Sequence, residues 1–201
     1  MVIKSNIQVI YKQLRSMKYM GSKNRFAKEM LPLLLKNRTK NQYYVEPFAG
    51  GMNMIDKVSG KRIANDIHTD LIEMWKALAS GWIPPLNVSE EDYMNIKNGK
   101  IEVDKALSGY IGFNSYGGKW FSGYRRDKQG KRDYWREHYN NIMKQVPNIK
   151  DVVFLNSSFT DLKIPEGSII YCDPLNTITN LIMAYFGIGF VLNLDKDILF
   201  I

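Results

Sequence analysis

The chain has 201 residues, a net charge of +8, a pI near 9.4, 45% hydrophobic and 24% charged residues, so it reads as one well-packed globular domain with room for a small appended one. Its basic balance points to a polyanionic partner, nucleic acid before an acidic membrane. The single cysteine, Cys172, excludes an intramolecular disulfide framework and fits a reducing compartment.

No secretory signal stands out, and the longest apolar run, Leu181 to Leu192, is shorter than the ~20 residues of a membrane-spanning helix. A cytoplasmic protein with no membrane partner is expected. Residues 1–16 are unpatterned and read as a leader that need not be native, with Met17 as an alternative start. Spacing predicts a helix over Ser22–Asn37, capped by Ser22, with Phe26, Met30, Leu33 and Leu34 on one face and a kink or early stop at Pro32. Strands follow at Tyr43–Glu46 and Lys61–Asp66. Leu71, Ile72, Trp75, Leu78 and Ala79 then mark an amphipathic helix over Thr69–Ser80. Strand, glycine turn, helix and strand in that order predict an α/β fold with a parallel sheet.

The pattern changes between residues 81 and 146, where helices at Glu90–Asn98, Val103–Phe113 and Arg132–Val146 flank a loop at Ser115–Arg126. Strands at Val152–Leu155 and Ser168–Cys172 restore the alternation. A helical insert at 81–146 therefore divides a cofactor-binding part at 17–80 from a return to the sheet at 147–177. Residues 178–201 form an apolar tail.

Several short stretches carry chemistry. Glu46-Pro-Phe-Ala-Gly-Gly51 ends a strand on an acid and a pair of glycines, which lets the backbone turn sharply and approach a cofactor; an ordinary strand-to-helix turn has the same look. Asp66 ends the next strand about twenty residues later, the spacing of a ribose-binding carboxylate, and equally that of a helix cap. Lys18-Tyr-Met-Gly-Ser-Lys23 sets a glycine, an aromatic ring and a lysine before a helix, suited to a carboxylate or a ring, or simply to a capped basic segment.

The loop at 115–126 interleaves Tyr116, Trp120, Phe121 and Tyr124 with Lys119, Arg125 and Arg126, residues that stack on bases and neutralise phosphates. Core-facing aromatics in a solvated basic loop are the alternative. Tyr171-Cys-Asp-Pro174 places a third acid at the edge that holds Glu46 and Asp66, which marks a crevice. His68 and His138 have no partner at metal or triad spacing, and no metal site is expected.

Taken in order, Lys18–Lys23, Val45–Gly51, Ala64-Asn-Asp66, the Ser-Tyr-Gly-Gly-Lys-Trp-Phe loop and Tyr171–Pro174 resemble the DNA adenine N6-methyltransferases of the Dam type, many of which are carried by phages or restriction–modification systems. The resemblance spans Met17 to Pro174. It implies a Rossmann-like S-adenosylmethionine-dependent methyltransferase sheet, incomplete at the C-terminus, with a helical DNA-recognition insert and double-stranded DNA as partner. A monomer is favoured.

By that resemblance Tyr19 and Lys23 contact the cofactor's methionine end or adenine face, Glu46, Phe48 and Gly50 form its turn, and Asp66 binds its ribose. Ser158-Phe159 falls at the contact to the cofactor adenine, without the acid often found there. Asp173 lies against the cofactor and, with the Pro174 carbonyl, accepts the two N6 hydrogens of a flipped adenine. Tyr116, Lys119, Trp120, Arg125 and Arg126 contact DNA.

The resemblance stops at Leu175 and Asn176, where the family has a second proline and an aromatic ring. Losing that base stack costs about 1–3 kcal/mol. A frameshift or premature end inside the catalytic motif is expected, leaving the enzyme weak or inactive. The alternatives are a diverged member whose tail replaces a sheet strand, a remnant that binds DNA or cofactor without catalysis, and a methyltransferase acting on a protein amide.

Overall fold

Tyr44, Val45 and Glu46 are all buried, which puts their strand, β1 (Tyr44–Glu46), in the interior of a sheet. The computed structural model describes residues 16–173 and the backbone of 191–194 and 197–200. On one side β1 pairs in parallel with β2 (Arg62–Asn65), Tyr44 opposite Arg62, and β2 pairs with β3 (Val153–Leu155). On its other side β1 pairs with β4 (Ile169–Ile170), giving a four-stranded parallel sheet in the order β3-β2-β1-β4.

Side chains alternate across the sheet. Tyr44 and Ala64 join the larger apolar core, while Val45 and Ile63 join a smaller cluster with Leu162 on the opposite face. The chain builds outward from β1 to β3 and then crosses back to add β4 beyond β1. The crevice between the carboxyl ends of β1 and β4 is thus the point where strand order reverses, the usual ligand position in open α/β sheets.

The first helix is shorter than its spacing predicts. α1 covers Ala27–Leu34, and Ser22 instead accepts the Asn24 N–H at 3.3 Å, stabilising the turn ahead of it. Its buried face is Ala27, Leu31 and Leu34, with Met30 packed at its edge; of the expected Phe26, Met30, Leu33 and Leu34, Leu33 is corrected, for it is 67% exposed. Pro32 lies in its last turn and the helix stops two residues later.

The other helices follow their predicted positions within two residues, each opened by a side chain that accepts a first-turn N–H. His68 caps α2 (Thr69–Ala79), Ser89 caps α3 (Glu90–Lys97), Asp104 caps α4 (Lys105–Phe113) and Asp133 caps α5 (Tyr134–Gln145). α2 is held on two sides, with Leu71, Ile72, Met74, Trp75 and Leu78 fully buried. The backbone of the tail forms β5 (Val191–Leu194) and β6 (Asp197–Phe200), which pair with each other in antiparallel fashion and not with the four-stranded sheet.

The insert locks onto the sheet domain where α4 crosses α2. A side chain at Gly109 would place its Cβ 2.2 Å from the Asp70 carbonyl oxygen, so the two helix backbones meet there, and Ser108 Oγ donates to Asp70 Oδ2 at 2.6 Å. Gly109→Ala should therefore destabilise the chain by about 1–3 kcal/mol despite the better helix propensity of alanine. Thermal unfolding should show a Tm several degrees lower; an unchanged or raised Tm would mean that α2 and α4 do not meet at this residue.

Candidate active site

At the crevice between β1 and β4 lies a cavity of about 220 Å³ lined by Tyr19, Lys23, Glu46, Gly50, Asp66 and Asp173 among others. Three strand ends converge there: Glu46 ends β1, Asp66 follows β2 and Asp173 follows β4. Phe48 also lines the cavity, and the Phe159 ring packs against it at 5.5 Å between centroids.

The glycine turn is built around an aromatic ring. Gly50 has φ of +49°, and a Cβ on it would stand 2.6 Å from Tyr19 Cε1; one on Gly51 would stand 2.7 Å from Tyr19 Cβ. Both glycines are therefore required by close approach, and Gly50 by its backbone conformation too. Asp66 Oδ2 accepts the Gly50 N–H at 3.0 Å, Asp66 Oδ1 accepts the His68 N–H at 3.0 Å, and Trp75 Nε1 donates to the Gly50 carbonyl at 3.0 Å. Asp66 thus shapes the turn as well as facing the cavity. On the far side, the fully buried Asn65 donates to the carbonyls of Pro47 and Ser157 and accepts from Ser157, fixing the segments that carry Phe48 and Phe159.

The three acids sit in three different environments. Glu46 is 2% exposed, and its Oε1 makes no hydrogen bond. Burial pushes its pKa well above the ordinary carboxyl value and Asp56 and Asp173 push it further. The Tyr44 hydroxyl beside it eases this without completing a hydrogen bond, since Tyr44 Oη is also unpartnered. Burial raises Asp66 as well, against the pull of the His68 and Gly50 N–H groups. Asp173 forms an ion pair with Lys23, Oδ1 to Nζ at 3.0 Å, and the same ammonium donates to the Gly21 carbonyl at 3.1 Å.

Burial holds the adjoining Cys172 thiol up at about 12, protonated and unsuited to nucleophilic attack. Pro174, Leu175 and Asn176 lie outside the described residues, as do the first fifteen residues.

The two histidines are structural. His68 caps α2 through Nδ1, and its ring meets Trp120 at 4.3 Å and Phe113 at 5.1 Å. His138 is buried with its pKa pushed down to about 3, its Nε2 3.2 Å from the Tyr110 carbonyl. Among the described residues no cluster of His, Cys, Asp or Glu forms a metal site.

The loop at 115–126 abuts this cavity, for the Met20 N–H donates to the Gly118 carbonyl at 3.2 Å. Tyr116 and Lys119 are exposed. Trp120 keeps one edge in solvent but packs on His68 and Phe113, while Phe121 and Tyr124 turn inward onto Tyr93. Arg125 lies over the Tyr134 ring at 4.1 Å and donates to Asn114 Oδ1 at 3.1 Å. Arg126 is exposed and held by the Glu90 carboxylate.

A glycine turn and three strand-end acids, one of them beside a lysine, thus meet at the strand-order reversal. Residues 19–103 match the family model of the D12 class N6 adenine-specific DNA methyltransferases. The matched stretch carries Tyr19, Lys23, Glu46, Phe48, Gly50 and Asp66, while the 115–126 loop and Asp173 follow it. No described helix is long and apolar enough to cross a membrane.

Motifs assign no role to four residues that line or support this cavity. Asn65 stands inside the quoted Ala-Asn-Asp66 stretch, and its place as the last residue of a buried strand was the available signal. Trp75 reads as helix core, and Ile67, which lines the cavity, as connector. Gln145 carries no signal at all, being one polar residue at the end of an amphipathic helix.

Glu46 gives a pH test. Its folded pKa lies above the unfolded value of about 4.3, so the stability it contributes is complete below that value and lost as pH rises through the folded pKa. Glu46→Gln cannot ionise. It should gain on the unliganded wild type as pH rises from 5 to 8, by about 1 kcal/mol or ~2–4 °C in Tm. A Tm difference that stays flat across this range would contradict the buried, unpaired carboxyl.

Proposed function

We propose that this chain transfers a methyl group from S-adenosylmethionine to the N6 amino group of adenine in double-stranded DNA. The observation that carries the reading is the meeting of Glu46, the Gly50–Gly51 turn and Asp173 in one cavity at the strand-order reversal. The residues present fit the cofactor: an orphaned, buried Glu46 Oε1 calls for a cationic group such as its ammonium, and the glycines leave a backbone surface that a Cβ would fill. Glu46 and Lys23 would hold its amino-acid end, Asp66 its ribose hydroxyls, and Phe48 with Phe159 its adenine. When bound, the cofactor supplies an electrophilic methyl group on a sulfonium.

The chain's own residues do the rest. The adenine amino lone pair is delocalised into the ring, which makes N6 a poor nucleophile. Asp173 accepts one amino hydrogen and the Pro174 carbonyl a second, which favours a pyramidal nitrogen with a directed lone pair. Lys23 holds Asp173 in place, at 3.0 Å, until an amino group competes for it. The protonated, buried Cys172 supports direct transfer over a covalent route through sulfur. Tyr116 and Lys119 offer a ring and a cation to DNA, with Trp120, Arg125 and Arg126 alongside, Arg126 having to leave Glu90 for a phosphate. Leu175 and Asn176 weaken the hold on the flipped base.

Tritium transfer from S-adenosylmethionine into adenine-containing duplex should be detectable, and Asp173→Ala should lower it by about 10²–10⁴-fold. The double variant Leu175→Pro, Asn176→Tyr should raise it by about one to two decades through the restored stack. Duplex retention with no transfer by either chain would favour the non-catalytic binder, and label in protein but not DNA would favour the amide substrate.

A further inference from the structure

Gln145 closes α5, at the end of the helical insert, and is 2% exposed. It bonds to two walls of the cofactor cavity without touching the cavity itself. Its Oε1 accepts the Met17 N–H at 2.6 Å, while its Nε2 donates to the Gly51 carbonyl at 3.1 Å and to Asp56 Oδ2 at 3.1 Å. The Met52 carbonyl lies within reach at 3.4 Å. Met17 is held from its other side by Asn53 Nδ2, which donates to the Met17 carbonyl at 3.3 Å.

These partners decide where the Tyr19 ring sits. Met17 begins the segment that carries Tyr19 and Lys23 into the cavity, and Gly51 is half of the turn on which Tyr19 packs. Nearby Met52 is a fully buried non-glycine residue with φ of +56°, a conformation that persists only when its surroundings enforce it. One amide therefore sets the distance between the ring-bearing segment and the strained glycine turn. It does so from the insert, which lies outside both segments in sequence.

We infer that Gln145 is a positioning residue for the methyl donor, through which the last helix of the insert fixes the Tyr19 wall against the Gly50–Met52 turn. This rests on the reading of the cavity as the S-adenosylmethionine site. Without the amide both walls keep their residues and lose their register.

The test is calorimetric titration of S-adenosylmethionine into the full chain as wild type, Gln145→Met and Ile142→Val. Gln145→Met keeps the length and apolar packing and removes the hydrogen bonds. Ile142→Val loosens the same helix in the core without touching the turn. Gln145→Met should raise the cofactor Kd by roughly tenfold, a loss matching hydrogen bonds of ordinary net worth. Its duplex DNA affinity should match wild type, and Ile142→Val should shift the cofactor Kd less than twofold.

A folded Gln145→Met with wild-type Kd would overturn the inference, and so would equal weakening by Ile142→Val, which would make the effect one of general stability. A wild type that binds no S-adenosylmethionine would instead remove the reading of the cavity itself. Hydrogen exchange of the wild type needs no variant. The Met17 amide should exchange slowly and slow further with cofactor, and fast exchange unaffected by cofactor would also overturn the inference.

Discussion

Tyr19 lies where side chains on Gly50 and Gly51 would have to be, and the rest of the cavity is arranged to keep it there. A turn of two bare glycines has no side chains of its own to hold it, so its shape comes from neighbours. Asp66 takes the Gly50 N–H, Trp75 takes the Gly50 carbonyl and Gln145 takes the Gly51 carbonyl. These three come from the end of β2, from α2 and from α5. The turn therefore has its shape only in the assembled domain, with the insert in place. A closely packed backbone surface is obtained here by leaving out side chains locally and supplying rigidity from a distance.

The same edge shows how one residue type serves different ends. Glu46, Asp66 and Asp173 are all carboxyls at strand ends, in a chain of net charge +8. Glu46 is buried and unpaired and resists ionisation, which suits it to a cation that arrives with the ligand. Asp66 spends a lone pair of each oxygen on the backbone. Asp173 is held by a lysine, and its charge is compensated before any substrate enters. Environment, and not position along the strand, gives these three carboxyls different properties.

Much of this was legible in the residues and some was not, for physical reasons. Glu46, the paired glycines, Asp66 and Asp173 could be placed at one sheet edge because strand alternation and turn chemistry are local signals. The parallel sheet, with β4 beyond β1, agrees with the expected α/β fold. Which N–H groups Asp66 would satisfy was not legible, since a strand-end acid reads alike as ribose ligand and as helix cap. His68, and not Asp66, supplies the cap side chain of α2. On α1 the N-terminus was not legible because Ser22 has a cap's chemistry but serves a turn; Met30 and Leu34 meet the core as expected, while the inner face set by Ala27, Leu31 and Leu34 leaves Leu33 outside. Trp120 and Phe121 show the limit of composition: aromatics in a basic loop look like base-stacking rings until Gly112 is seen to admit both against α4. Gln145 could not be found from sequence, because its partners lie 89 to 128 residues away.

Cys172 is the only cysteine of the chain, and it is fully buried beside Asp173 with its thiol held at about 12. A thiol in that position reports on the site without belonging to its chemistry. A modifying reagent can reach it only in molecules where the end of β4 has come away from β1, so its rate of labelling counts those excursions. Where closing is faster than labelling, that rate over the rate of a free thiol is the equilibrium constant for opening this edge of the sheet. The residue next to the acid is thus a built-in gauge of how firmly the acid is held, readable in solution and comparable with and without cofactor.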